Sequence, residues 1–386
     1  MNLSKLFNNN RCLVVLLWSI LSHSLEASSQ NISEKNPFLS PAAQELKKEL
    51  DEQKNLKIYF SGNLAGSRES CGCALNPKGG LERHYNFLKK EGLLEKKRPD
   101  NTLVLDFGNL LFKNENITLY EKKAALDNAQ KMIQAANFFQ YDAVNFGNLD
   151  RSLPLKDLTQ ILEDSRFPWL SSNISASERF HSNFKKHLSI KLKDIEILLL
   201  GLSSIEGETL PNGLQLEDPQ KVLTHELQNI PEHVLPVILS DLDLKQLTKV
   251  ASSLKRPVIF LGSREMGGWE RPLELGTSLL LHIRHQGQEW GVLKVPTQLK
   301  NRSSWYNTSE TSNFAKRWED LKKDKISLND LSSSSEKTIE IKNIETKAQE
   351  LKELAPSSKR DIPFYFETIE MNSTFKGKNS VSKYMK

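Results

Sequence analysis

The stretch LKIYFSGNLAGSRESCGCALNPKGGLERHYNFLKK, residues 56–90, decides the reading of the chain. It opens on an apolar run, Leu56 to Phe60, that breaks at glycine and asparagine into a polar loop. It closes on GLERHYNFLKK, whose apolar residues fall at three and four spacing. A short run apolar on both faces, followed by an amphipathic helix, is the unit of a layered α/β domain. The unit recurs down the chain. NTLVLDFGN, YDAVNFGN, IEILLLGLSS, HVLPVILSD and RPVIFLGS read as strands ending in glycine or polar residues. YEKKAALDNAQKMIQAANFF, LKDLTQILEDS and LDLKQLTKVASSL carry helical spacing between them. TSLLLHIRHQGQEWGVLKV, residues 277–295, alternates about a glycine and predicts two strands joined as a hairpin by a tight HQGQ turn. In folds of this class, function sits in the loops at the carboxyl ends of the strands.

Composition sets the frame. The 386 residues are 38% hydrophobic and 26% charged, and the net charge of +5 is spread along the chain, which gives one large globular domain with an extension and no nucleic-acid partner. The N-terminus, MNLSKLFNNNRCLVVLLWSILSHSLEASSQ, carries Lys5 and Arg11, an apolar run from Cys12 to Leu21, and small residues at Ser22 and Ser24. That pattern reads as a signal peptide over residues 1–27, hence an exported bacterial protein, periplasmic or secreted. The run is too short to cross ~30 Å of hydrocarbon, so no stable membrane anchor is expected. Residues 28–54 read as a leader, 55–297 as the α/β domain, and 298–386 as a charged tail. The tail holds a flexible LSSSSEK stretch, a helix (IEIKNIETKAQELKEL) and a possible return strand (IPFYFETIEM).

Taken in order, the strand ends SGNLAG, DFGN, GNLD, LSDL and GSRE resemble the loops of the calcineurin-like metallophosphoesterases, in particular their 5′-nucleotidase-like branch. CGC and GGLER after the first loop, FPWLSSNIS at 167–175 and the HQGQEWGVLKV segment extend the likeness over roughly residues 56–297. The resemblance implies a four-layer αββα sandwich with a helical and extended C-terminal tail. It also implies where a site belongs. The family's loops run Asp-x-His, Gly-Asp, Gly-Asn-His-Glu/Asp, a lone His, and Gly-His-x-His, and hold two divalent metals that clamp a phosphate and activate water.

Carried over position by position, the first aspartate and histidine become Asn63 and Ala65, and the bridging aspartate becomes Asn109. Asn148 is retained, followed by Leu149 and Asp150; the fourth-loop histidine falls on Asp241, and the last two on Ser263 and Glu265. All eight histidines lie outside these loop positions in the sequence. An amide oxygen lacks the charge that holds two dications side by side, so no cofactor is expected and hydrolysis is expected to be lost. What remains is a binding or scaffold protein for an unidentified protein or small-molecule ligand.

Two alternatives stay open. Asn63, Asn109, Asn148 and Asp241, with Asp106, Asp150 and Glu265 beside them, are hard oxygen groups able to gather around a single Mg²⁺, Mn²⁺ or Ca²⁺ in a residual phosphoesterase or nucleotidase; their plainer reading is turn and capping chemistry. Cys71 and Cys73, with Lys78 or Arg68 to lower a thiol pKa, suit thiol–disulfide exchange or a structural disulfide. Gly79, Gly80 and Arg83 at a helix start form a possible anion site, or mere helix punctuation. Trp169 reads as core.

Overall fold

The computed structural model describes residues 40–385 apart from 53, 72–74, 177–182, 205–213, 270, 300, 328–345 and 347–359. The expected signal peptide, Cys73, the LSSSSEK stretch and nearly all of the tail helix lie outside the described residues. The chain divides into two units, Ala42–Glu310 with Pro356–Lys386, and Met1–Pro41 with Thr311–Ala355. The first carries everything below; the second is described mainly through α7 (Thr308–Ser327), whose later turns belong to it.

Strands are numbered in chain order. One sheet runs β15 (Ser304–Asn307), β16 (Asp361–Glu370), β14 (Glu289–Pro296), β1 (Asn55–Ser61), β2 (Thr102–Asp106), β3 (Ala143–Asn145), β4 (Trp169–Leu170), β6 (Phe184–Lys185). The other runs β12 (Leu273–Leu275), β13 (Ser278–Leu281), β11 (Val258–Leu261), β10 (Val234–Ser240), β8 (Glu196–Leu202), β7 (His187–Lys191). A two-stranded ribbon pairs β5 (Ile174–Ala176) with β9 (Leu214–Leu216). From β1 through β6 the first sheet is parallel, as are β8, β10, β11 and β13 of the second.

Period-2 alternation of apolar strands builds the layers. In β1, Leu56, Ile58 and Phe60 enter a core shared by the two sheets, while Tyr59 enters a core beneath helices. In β8, Ile197 and Leu199 face the shared core, and Leu198, Leu200 and Leu202 face the opposite way. Helices α2 (Leu81–Lys90), α3 (Lys122–Ala136) and α4 (Leu155–Leu162) cover the first sheet through Phe87, Met132 and Leu158. Helices α5 (Pro219–Leu227) and α6 (Leu244–Ser252) cover the second through Leu223 and Leu247. The result is the expected αββα sandwich with three apolar cores. Each fully buried large side chain contributes roughly 1.5–3 kcal/mol, so the layers need no special contact to stay together.

Four details depart from the sequence reading. The 277–295 segment is not a hairpin: β13 lies in the second sheet and β14 in the first, where it pairs antiparallel with β1. The turn is real, with Gln286 and Gly287 at φ 55 and 61, but Leu279, Leu281, Leu293 and Val295 all enter the shared core, so the turn must cross from one sheet to the other. The first sheet also continues past residue 297. The return strand β16 lies inside it between β14 and β15, and Met371, Phe375 and Val381 beyond it pack into the core of α2 and α3. Within residues 28–54, α1 (Pro41–Glu52) buries Leu46 and Leu50, and Glu49 takes a two-pronged ion pair from Arg302. Helix α5, not singled out in the sequence, is announced by Asp218 capping Lys221 N and by Pro219 in its first turn.

Candidate functional site

The strand ends of both sheets meet over one aromatic ring. A Cβ on Gly62, after β1, would fall 2.4 Å from Phe107, and one on Gly262, after β11, 2.2 Å from it. Phe107 therefore seats the two sheets against each other directly below the loops, and both glycines are required for it. Above it, Asn63 N donates to Gly108 O at 2.8 Å, Ala65 N to Asn109 O at 2.7 Å and Gly66 N to Leu110 O at 3.0 Å, which zips the first loop to the second. Asn63, Ala65 and Asn109 hold φ of 48, 49 and 59. Asparagine tolerates that left-handed region; for Ala65 it is strained by roughly 1–2 kcal/mol.

The side chains at the expected site positions are spent on each other. Asn63 Nδ2 donates to Ser263 O at 2.9 Å, and its Oδ1 accepts from Asn109 Nδ2 at 2.8 Å. Asn109 Oδ1 in turn accepts from Leu149 N at 2.9 Å. A single chain of amides thus ties four loops together. Asp150 is fully buried and accepts from Asn109 N, Leu111 N and Gly147 N at 2.8, 2.8 and 2.9 Å. Asp241, also fully buried, accepts from Asn148 N and, at 2.6 Å, from Ser204 N. Ser263 Oγ donates to Leu242 O at 3.0 Å, and Glu265 Oε1 reaches Leu244 N at the start of α6 at 3.4 Å.

Asn148 faces two ways. Its Oδ1 accepts from Nε of Arg151 at 3.1 Å and from Nη2 of the same guanidinium, which also donates to Ser204 O at 2.7 Å. Its Nδ2 donates to Glu115 Oε1 at 2.6 Å, where Arg264 Nη2 also arrives at 3.3 Å. A cavity of about 320 Å³ opens there, lined by Asn63, Ala65, Asn109, Asn148, Leu149 and Glu265 with Lys113, Glu115, Arg264, Met266 and His285. Asp150, Asp241 and Ser263 lie beneath it, with no exposed surface. Arg151, Glu115 and Arg264 were not singled out in the sequence, although Arg151 and Arg264 each adjoin a singled-out position. His285 reaches the cavity wall from the sheet-crossing turn, although no loop motif contains it.

Burial governs the acids. It pushes Asp150 up to about 7 against the pull of its three N–H donors, and Asp106 up to about 6 against the Ser61 hydroxyl, Gly108 N–H and Tyr141 hydroxyl. Asp241 is raised by the same cause. His282, buried between the tilted rings of Phe107 and Trp269 and bonded to Glu265 O at 3.0 Å, is pulled down by burial to about 4 and stays neutral.

The two metals implied by the resemblance do not fit this arrangement. A dinuclear centre needs converging lone pairs and negative charge. The oxygens of Asn63, Asn109 and Asn148 each already accept an N–H, and among the described residues no three His, Cys, Asp or Glu side chains converge as ligands. The same groups fail to form the single-cation site, since Asp241 and Asp106 point at backbone and hydroxyl donors instead of the cavity.

The other candidates resolve differently. Arg83 is buried and directed at carbonyls, donating to Pro77 O, to Gly79 O at 3.3 Å and to Met371 O at 3.0 Å, so its charge braces the C-terminal segment instead of an anion. Lys78 pairs with Glu370, and Arg68 bonds Asn128 Oδ1 and Tyr384 O at 2.7 and 2.6 Å. Cys71 Sγ accepts from Lys78 N at 3.0 Å; its pairing with Cys73 lies outside the described residues. Trp169 is core, as expected.

The same architecture recurs in solved structures. The 5′-nucleotidase precursor of Thermus thermophilus is 19% identical with a TM-score of 0.50, over 63% of this chain and 51% of that one. The NAD nucleotidase of Haemophilus influenzae is 16% identical with a TM-score of 0.52, over 63% and 53%. A putative 5′-nucleotidase from Staphylococcus aureus is 14% identical with a TM-score of 0.52, over 69% and 59%. The fold is that of the 5′-nucleotidase-like metallophosphoesterases. The aligned part of the chain thus spans between 51% and 59% of the length of these three enzymes. No family model matches the chain, and no curated protein matches it in sequence. Within the metallophosphoesterase fold, the site described above stands at the usual place, at the carboxyl ends of the parallel strands. No helix among the described residues is long and apolar enough to cross a membrane.

Proposed function

We propose that this chain is an exported protein that keeps the metallophosphoesterase fold without its hydrolysis, and acts by binding a ligand or partner at the mouth of the altered site. One observation carries the reading: the amide chain from Ser263 O through Asn63 and Asn109 to Leu149 N uses, for holding loops together, the atoms that would otherwise ligate metal. Aspartates at those two positions would repel each other and require a cation between them; asparagines attract and require none. Export rests on the charged, apolar and small-residue order of the first 27 residues.

The test is elemental mass spectrometry of the purified mature protein, with hydrolysis of a generic phosphate ester measured in added Mn²⁺. The expected result is no stoichiometric metal and no turnover. Bound metal with chelator-sensitive turnover would establish a residual phosphoesterase in its place.

A further inference from the structure

Glu265 lines the cavity with its carboxylate turned toward Leu244 N, and at Asn148, where a metal site would present a lone pair, the cavity meets a hydrogen-bond donor. The cause is Arg151. By taking both of its contacts to Asn148 on Oδ1, the guanidinium fixes the amide so that Nδ2 faces the cavity. Arg264 Nη2 arrives at the same point, and Lys113 lines the same cavity. Arg151 Nη1 is buried with no hydrogen-bond partner among the described residues. The group that these donors hold is the Glu115 carboxylate, at 2.6 Å from Asn148 Nδ2 and 3.3 Å from Arg264 Nη2.

Glu115 sits on the long connection between β2 and α3, and Leu119 and Tyr120 further along that loop are 89% and 99% exposed. A segment with so little packing leaves its place at low cost. We propose that the cavity is a carboxylate-binding site, filled in cis by Glu115, which a ligand carboxylate displaces. Asn148 and Arg264 hold the incoming carboxylate, and Leu149 and Met266 line the space for its apolar body. A volume of about 320 Å³ suits a small organic acid. This rests on the metal-free reading of the site.

The experiment titrates succinate into the full mature chain in EDTA by calorimetry, with inorganic phosphate as the comparison anion. Glu115→Gln removes the internal competitor and its charge, and is expected to tighten succinate binding by about tenfold, the scale of one charge-assisted hydrogen bond. Arg264→Ala is expected to abolish binding, and Arg264→Lys to weaken it by losing the planar fork. The proposal is overturned if Glu115→Gln binds succinate no more tightly than the parent, if Arg264→Ala binds unchanged, or if phosphate binds more tightly than succinate. Binding in EDTA is read without turnover, so manganese-dependent hydrolysis would remove the proposed function while leaving this result standing.

Discussion

Asn109→Asp replaces one nitrogen by oxygen in a buried amide chain, and the structure sets its consequences. The Asn109 side chain is 3% exposed, its Nδ2 lies 2.8 Å from Asn63 Oδ1, and its own N–H is bonded to the buried Asp150 carboxylate. An ionised carboxyl there would face an oxygen at hydrogen-bond distance with a second carboxylate close by, a defect of the class that costs about 3–5 kcal/mol. The variant can escape by staying protonated, because the O–H then donates to Asn63 Oδ1 and restores the chain. That escape costs about 1.4 kcal/mol for each pH unit above an ordinary aspartate value of about 3.9. The loss should therefore be about 1.5 kcal/mol at pH 5 and about 4 kcal/mol at pH 7. Urea unfolding at both pH values, with the m-value checked for constancy, measures it. A loss under about 1 kcal/mol at pH 7, or one independent of pH, would refute the view that this amide pair holds the loops.

Other perturbations test other parts of the structure. Gly62→Ala sets a methyl 2.4 Å from the Phe107 ring and should cost about 1–3 kcal/mol in urea unfolding; a neutral result would mean that Phe107 does not fix the sheet spacing. Arg83→Leu takes the side-chain donor from Pro77 O and Gly79 O, and leaves Met371 O with Gly79 N alone; it should cost about 2–4 kcal/mol, with faster proteolysis after β16, and unchanged proteolysis would contradict the bracing role. Asp150 and Asp106 are pushed up to about 7 and about 6, so the fold binds their protons more tightly than the unfolded chain does. Their contribution is complete below about pH 4 and is lost as pH rises through 6 to 7. Denaturant midpoints should fall between pH 5 and pH 8, and Asp106→Asn should flatten part of that slope; a rise over the same range would reverse the assignment.

The fold was legible because its information is local. Apolar runs such as Ile195–Leu202 and Val234–Ser240 alternate between two cores, and period alone reports that. The 277–295 segment misled because alternation says that a strand has two faces, not which sheet it joins. Leu281 and Leu293 approach the same core from opposite sheets, which looks identical in sequence to a hairpin. The positions that the resemblance marks were legible one strand end at a time. Three groups that complete the cavity were not, because they come from outside the motifs: Arg151 one residue beyond GNLD, Glu115 on a loop with no signature, and His285 from the crossing turn.

On the proposed reading, these particulars explain how loops shaped for metals can outlast them. Asparagine is nearly isosteric with aspartate, so the left-handed backbone at Asn63 and Asn109 is kept while one oxygen in each side chain becomes a donor. The exchange turns mutual repulsion into a 2.8 Å hydrogen bond and removes the need for a cation, but it is tolerable only if every new N–H finds an acceptor. Asn63 finds Ser263 O and Asn109 finds Asn63, while the retained Asn148, whose oxygen is taken by Arg151, donates to Glu115. The first two acceptors are buried and fixed, whereas Glu115 is 41% exposed and on a loop. The chain of donors therefore ends at the one place where its acceptor can be exchanged, and there the structure has room for a ligand.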